Sequence, residues 1–253
     1  MKLKRIIPCL TIYEGKLIKT KNFNISNSTY VGDVLNAVRI FNEKEAEELI
    51  VLDIGVSLNN TLPDFNLIEK ISNVSRMPIC YGGGINKVDQ AKIISSYGIE
   101  KISLSSIAIN NFEIVKEISK TIGKQSVSVI FDVKKINNEF LVHKTNGKVN
   151  TLKNIFEMID TVQPYVGEVV INNIDRDGTM LGYDEYLMHD IVNASMVPVV
   201  YMGGAGCIND LVKFLNRFDV VGAACGSLFI FKGQNNAVLI NYPRNEILEK
   251  VSN

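Results

Sequence analysis

The chain has 253 residues, of which 46% are hydrophobic and 21% are charged, as in ordinary globular proteins. Its formal net charge is zero, which argues against a general affinity for nucleic acid or anionic membranes. The basic N-terminus precedes only a short apolar stretch broken by Pro8, so we expect no signal peptide, no spanning helix and a soluble cytoplasmic protein. Four widely spaced cysteines and two histidines predict no metal site, no cofactor and no disulfide framework.

Eight short apolar runs predict parallel strands, because they do not alternate with polar residues and therefore need burial on both faces. A helical spacing of apolar residues follows each run, from residues 32–47 after the first to residues 245–251 after the last. This alternation predicts a single (β/α)8 TIM barrel over residues 1–253, with an open doubly wound sheet as the alternative. The runs are residues 6–12, 49–54, 78–81, 102–104, 127–131, 169–171, 197–201 and 220–225.

Two segments that follow predicted strands are longer than ordinary connections. Residues 13–30 are polar and rich in Lys and Asn, and residues 134–150 contain turn sequences that predict a small hairpin. Both should emerge at the C-terminal face of the barrel, where barrel active sites lie. Long structured loops there are usually functional, although simple decoration is the alternative.

Glycine and serine clusters follow four of the predicted strands and indicate anion binding. Glycines let backbone N–H groups approach an anion closely, and the start of a following helix adds a favourable dipole. The clusters repeat at half-barrel spacing, which predicts an internal duplication with two equivalent phosphate sites, whereas ligand-free tight turns are the alternative. The residues predicted to bind phosphate are Gly83, Gly84, Ser105, Ser106, Gly203, Gly204, Gly226 and Ser227.

Residues 175–179, Asp-Arg-Asp-Gly-Thr, follow the sixth predicted strand. Such an acidic run occurs in calcium loops, but no glutamate follows at the spacing that these loops require. We therefore interpret Asp177, Gly178 and Thr179 as part of a loop that presents donors to an oxyanion. A simple Asx turn is the alternative.

Asp132 follows the fifth run, and its carboxylate should point into the barrel mouth. Partial desolvation there would raise its pKa and suit it to proton transfer, whereas an ion pair with Lys19 or Lys134 is the alternative. Thr11 is its counterpart in the other half-barrel, and a threonine hydroxyl cannot exchange a proton near neutral pH. Asp53, at the end of the second strand, is expected to hold loops by hydrogen bonds.

Four charged residues stand immediately before predicted strands, at the opposite end of the barrel. Two positive and two negative charges could pair and close the barrel bottom, with ordinary solvated strand ends as the alternative. These residues are Arg5, Glu48, Lys101 and Glu168.

Several segments together resemble the cyclase subunit (HisF) of imidazole glycerol phosphate synthase, over nearly the whole chain. The resemblance implies a (β/α)8 barrel that forms a heterodimer with a glutaminase subunit. Ammonia released from glutamine would enter the barrel bottom, cross the core and meet a substrate with two phosphates at the top. The segments are residues 4–10, 82–85, the strand ending at Asp132, residues 174–179 with Gly182 and Tyr183, and residues 203–206.

The resemblance also implies roles for individual residues. Lys19 matches a loop lysine that acts at the substrate, and Asp132 matches one of two catalytic aspartates. Thr11 stands where the family places the other aspartate, and losing such a group costs on the order of 10²–10⁴ in rate. The residues that match the gate to the ammonia channel are Arg5, Glu48, Lys101 and Glu168.

Further departures resemble a diverged branch of the family. Ser105 and Ser106 replace an Asn-Thr pair, Met202 replaces a small polar residue, and residues 30–45 resemble a branch associated with surface-polysaccharide gene sets. The resemblance implies that this branch passes ammonia to a separate sugar amidotransferase. We therefore expect a diverged paralogue that serves sugar amidation.

Three other functions stay open. The first is a genuine histidine-pathway cyclase that forms imidazole glycerol phosphate and an aminoimidazole carboxamide ribotide. The second is a non-catalytic barrel that binds and activates the glutaminase. The third is a related sugar isomerase, against which Thr11 counts because that reaction also needs two carboxylates.

Overall fold

Eight parallel strands, β1 to β8 in chain order, form a closed barrel in the computed structural model, which describes residues 4–218 and 222–251. Each strand pairs with the next, and β8 pairs back onto β1, so the predicted barrel is confirmed and the open sheet is wrong. Residues 220 and 221 of the eighth predicted run lie outside the described residues. The strands are Arg5–Tyr13, Leu49–Asp53, Ile79–Gly82, Lys101–Leu104, Val127–Ile136, Glu168–Asn173, Val199–Met202 and Gly222–Cys225.

A helix follows each barrel strand and packs one apolar face against the barrel. In the first of these helices, Val34, Ala37, Val38 and Phe41 are buried at helical spacing, and the Asp33 side chain caps its N-terminus. Shorter helices, Ile54–Asn59, Ser106–Asn110 and Ser227–Ile230, follow β2, β4 and β8, and a 3-10 turn, Lys124–Ser126, precedes β5. The eight helices that pack around the barrel, one after each strand, are Val34–Glu43, Phe65–Val74, Val88–Ser96, Phe112–Ile122, Ile155–Val162, Glu185–Ala194, Ile208–Arg217 and Arg244–Leu248.

Two antiparallel ribbons extend from the C-terminal ends of β1 and β5. The first ribbon (residues 16–32) contains Lys16–Lys21 and Asn24–Gly32, and the second ribbon (residues 139–154) contains Glu139–Lys144 and Val149–Asn154. The predicted hairpin in residues 134–150 is therefore confirmed. The strands within residues 13–30 were not predicted, because most side chains of Asn24–Gly32 are exposed and give no apolar periodicity. A short pair, Phe231–Lys232 with Ala237–Val238, follows β8.

Side chains of the barrel strands alternate between two apolar clusters. Ile6, Leu10 and Ile12 of β1 pack in the cluster shared with the helices, whereas Ile7 and Cys9 pack in a separate cluster inside the barrel. No helix within the described ranges combines the length and apolar character needed to span a membrane. We name the inner cluster the bore; its buried members are Ile7, Cys9, Ile50, Cys80, Ile130, Val170, Val200, Met202 and Ala224.

Candidate active site

A cavity of about 320 Å³ opens at the C-terminal ends of the barrel strands. It brings together residues that are far apart in sequence, because the carboxyl ends of parallel strands meet at one face of the barrel. Ten of the eleven predicted phosphate ligands and all three predicted catalytic positions border this cavity or the smaller one beside it. Those bordering the larger cavity are Thr11, Lys19, Gly83, Gly84, Ser105, Ser106, Asp132 and Asp177.

A second cavity lies beside the first and shares Lys19, Asp177 and Met202 with it. Its volume is about 20 Å³, enough for roughly one water molecule. The predicted anion-binding turns therefore border two neighbouring cavities at one face of the barrel, and the two cavities differ in volume. The predicted residues bordering the smaller cavity are Lys19, Asp177, Gly178, Gly203, Gly204, Gly226 and Ser227.

Lys19 borders the second cavity and pairs there with Asp177. Its Nζ lies 3.5 Å from Asp177 Oδ1, and a Cβ added to Gly226 would lie 2.9 Å from that Nζ. Burial by itself would lower the pKa of Lys19, but the charge and hydrogen bond of Asp177, together with Cys9 and Cys225, raise it overall. A phosphate in this cavity would consequently meet a charged ammonium as well as backbone N–H groups.

Asp132 lies at the mouth between β5 and β6, where Asn172 is its register partner. Asn172 Nδ2 donates a hydrogen bond to Asp132 Oδ1 at 2.9 Å. Burial raises the pKa of Asp132 to about 7, although the Asn172 hydrogen bond acts in the opposite direction. The alternative of an ion pair is wrong for Lys19, which pairs with Asp177, and Lys134 is exposed with no ion pair to Asp132 among the described residues.

The raised pKa of Asp132 predicts a pH-dependent effect of Asp132→Asn on stability. In the folded protein this pKa is about 7, above the ordinary value of about 4, so the stabilisation it provides is complete below about pH 4 and is lost as the pH rises through 7. The variant should match the wild type in free energy of unfolding near pH 4.5 and exceed it at pH 8. Urea unfolding at both pH values measures this, and a difference independent of pH would contradict the assignment.

Thr11 borders the same cavity and is only 8% exposed. Asp53, the carboxylate on the adjacent β2, does not replace a missing acid there, because its Oδ1 accepts hydrogen bonds from Gly55 N at 3.1 Å and Val56 N at 3.3 Å. Burial raises the pKa of Asp53, and these two donors counteract that rise. The expectation that Asp53 holds a loop by hydrogen bonds is confirmed, since it caps the helix Ile54–Asn59.

Only part of the Asp175–Thr179 loop reaches the cavities. Asp177 and Gly178 border them, but Thr179 does not, and both its backbone N–H and its hydroxyl donate to the Arg176 carbonyl, at 3.1 and 2.8 Å. The prediction that Thr179 presents donors to an anion is therefore wrong, because its own turn uses them. Asp175 instead accepts from the backbone N–H of Lys135 at 3.0 Å and ties the loop to the strand beside it.

At the other end of the barrel, the four charged residues before the strands form a closed set of ion pairs. Arg5 contacts both Glu48 and Glu168, and Lys101 Nζ lies 2.9 Å from Glu48 and 3.3 Å from Glu168. The two carboxylate side chains are only 5% and 6% exposed, so the pairing expected from the sequence is present and the solvated alternative is wrong. We name this set the charged ring.

Comparison with known proteins gives the family. Residues 5–235 match the family described as histidine biosynthesis protein. A protein of Leptospira borgpetersenii with the provisional name imidazole glycerol phosphate synthase subunit HisF is 44% identical over 242 residues, covering 94% of each chain.

The chain belongs to the HisF family of imidazole glycerol phosphate synthase cyclase subunits. A provisionally named subunit hisF3 of Vibrio vulnificus is 45% identical over 242 residues, or 94% of this chain and 92% of that one. Imidazole glycerol phosphate synthase subunit HisF of Chlorobaculum parvum is 34% identical over 233 residues, or 92% of both chains.

Sequence reasoning missed several site residues of this HisF family member. Asn172 was not predicted as the partner of Asp132, although a polar residue at the end of a barrel strand is a usable signal. Across residues 4–218 and 222–251, no group of three or more His, Cys, Asp or Glu is placed to hold a metal ion. The larger cavity also has a neutral polar lining that was not predicted, formed by Ser57, Asn60, Thr61, Asn86, Asn110, Thr145 and Asn146.

Proposed function

We propose that this HisF family member receives ammonia from a glutaminase subunit at the charged ring and uses it on a phosphorylated substrate in the mouth. The observation that carries the proposal is the position of the charged ring and Asp132 at opposite ends of one barrel, with the bore between them. A reactive small molecule delivered from below would reach the substrate without mixing with bulk solvent.

The bore supports transit of a small polar molecule. It is mainly apolar, but the hydroxyls of Ser103 and Ser128 are buried inside the barrel and lack hydrogen-bond partners within the described structure. The two serines are register partners on β4 and β5, and Ser103 also borders the larger cavity. A buried hydroxyl without a partner is unfavourable, so passing ammonia would find hydrogen-bonding groups on this side of the bore.

The mouth supports binding of a phosphorylated substrate. Gly83 and Gly84 have φ angles of 145° and 65°, and added Cβ atoms would lie 2.6 Å from Asp53 O and 2.0 Å from Val56 Cγ1. Side chains are therefore excluded from this turn, and its backbone stays open to the cavity. Lys19 gives the second cavity a positive charge that complements a phosphate.

Thr11 supports a diverged version of this function, which serves sugar amidation instead of the histidine-pathway cyclisation. Asp132 can exchange a proton near neutral pH, whereas Thr11, on the opposite half-barrel, cannot. The higher identity to the provisionally named subunits, 44–45%, than to the Chlorobaculum parvum subunit, 34%, agrees with such a branch.

The test uses the barrel co-purified with its glutaminase. We expect glutamine hydrolysis to be stimulated by the barrel, while turnover of the bisphosphorylated histidine-pathway ribotide is weak or absent. A rise in thermal unfolding temperature with that ribotide would support a substrate-binding enzyme, whereas no shift would favour the non-catalytic activator. Turnover at a rate typical of the family would favour the genuine cyclase.

The charged ring makes a prediction of its own. Lys101→Ala removes a cation that contacts both buried carboxylates, as Arg5 does, so the ring should no longer hold one arrangement. In the complex, the stimulation of glutamate release by the barrel should fall about fivefold or more. Enzymatic measurement of glutamate with and without the barrel gives this ratio.

Lys116→Ala is the matched control for Lys101→Ala. Lys116 also forms an ion pair, at 2.7 Å with Glu113, but on the surface of the helix Phe112–Ile122 and away from the ring. Its loss should leave stimulation unchanged. If the wild type and Lys101→Ala stimulated glutamate release equally, the proposed role of the charged ring in receiving ammonia would be wrong.

A further inference from the structure

Two lysines of the second ribbon hold the short helix Ser106–Asn110 that follows β4. Lys144 Nζ donates to Asn110 Oδ1 at 2.9 Å, and Lys153 Nζ donates to the Ile109 carbonyl at 3.0 Å. Both contacts lie at the C-terminal end of the helix, where a cation also interacts favourably with the helix dipole. Neither lysine belongs to the predicted site.

This helix needs outside support because it is only five residues long and the Ser105 side chain makes no capping hydrogen bond. Its first residue, Ser106, and the preceding Ser105 border the larger cavity, as does Asn110 at its other end. The position of the predicted phosphate ligands therefore depends on where the ribbon places the helix.

The second ribbon also borders the larger cavity. Thr145 and Asn146, next to Lys144, border the cavity with φ angles of 55° and 52°. A β-branched residue rarely adopts a positive φ, so neighbouring contacts must stabilise this turn. The hydrogen bond from Lys144 to Asn110 is one such contact, and it joins the second ribbon to the helix Ser106–Asn110.

We propose that Lys144 and Lys153 are positioning residues that set the Ser105–Ser106 turn for binding a phosphate monoester. The proposal rests on the proposed function, since it takes the larger cavity as the site of a phosphorylated ligand. Lys144 acts through Asn110, and Lys153 acts through the carbonyl end of the helix.

A double-mutant cycle on Lys144 and Asn110 tests the proposal. Ribose 5-phosphate is titrated into each protein, and the dissociation constant is taken from the NMR shifts of the Ser105 and Ser106 backbone amides. Lys144→Ala and Asn110→Ala should each weaken binding about three- to tenfold, and the double variant should be no weaker than either single variant. Lys153→Ala should weaken binding to a similar degree.

Lys135→Ala is the matched control, because this exposed lysine lies near the ribbon and faces the Phe140 ring instead of the helix. It should leave the dissociation constant unchanged. Additive effects of Lys144→Ala and Asn110→Ala, or no effect of Lys144→Ala in a protein with wild-type thermal stability, would overturn the positioning role. Absence of any shift in the wild type would overturn the proposed phosphate site as well, so the two failures are distinguishable.

Discussion

Replacing Thr11 with aspartate should raise ammonia-dependent turnover of the bisphosphorylated ribotide by about 10²-fold or more. Thr11 is buried at the edge of the larger cavity, which also contains Asp132, so a carboxylate at position 11 would provide a second proton-transfer group at the same ligand. Asp132 already has a pKa near neutrality, about 7, and needs a partner on the other half-barrel for acid–base work on both sides of a substrate. Steady-state kinetics with ammonium chloride measure the gain without requiring the glutaminase.

Thr11→Asn is the control for this experiment, because asparagine has the shape of aspartate but cannot transfer a proton near pH 7. It should leave turnover at the wild-type level, and Asp132→Asn in the Thr11→Asp background should abolish the gain. A wild-type rate typical of the family, with no increase in Thr11→Asp, would defeat the interpretation of the chain as a diverged paralogue.

The second large effect concerns stability. Arg5→Ala should lower the free energy of unfolding by about 3 kcal/mol or more, because it removes a cation that pairs with both buried carboxylates, Glu48 and Glu168. Burial would by itself lower the pKa of Arg5, but these two carboxylates outweigh that effect and raise it. Urea unfolding at pH 7 measures the loss.

A second substitution separates charge from packing. Without the guanidinium, the two buried carboxylates are less well compensated and repel each other. Arg5→Ala combined with Glu168→Gln should recover part of the lost stability at pH 7. A loss below about 1 kcal/mol would place this network among weak surface ion pairs.

The sequence predicted the barrel because each strand is a short apolar run and each following helix has apolar residues at helical spacing. It did not predict the strands of the first ribbon, because the side chains of Asn24–Gly32 are mostly exposed. This strand pairs with Lys16–Lys21, which in turn pairs with β1. Element boundaries also shifted: β5 continues to Ile136 because its end pairs with the second ribbon beyond the apolar run.

Within the site, the sequence showed where a residue lies along its strand, but it did not show which side chain that residue pairs with. Asp132 was placed at the mouth because it follows a buried apolar run, and Thr11 because it is the counterpart of Asp132 in the other half-barrel. The pairing of Asp132 with Asn172, and of Lys19 with Asp177, depends on strand register and on the path of the first ribbon. Likewise, the sequence presents Thr179 as a free donor, and only the turn geometry shows that the Arg176 carbonyl takes both its N–H and its hydroxyl.

The mainly apolar bore has a consequence for how this protein can change over generations. It keeps the ion pairs of Arg5 and Lys101 apart from the polar groups around Thr11, and energetic effects at well-separated sites are usually independent. Substitutions that change the chemistry at the mouth should therefore leave the ion pairs of the charged ring unchanged. If the charged ring receives ammonia as proposed, a barrel with this layout can keep one ammonia source while the molecule that accepts the ammonia changes.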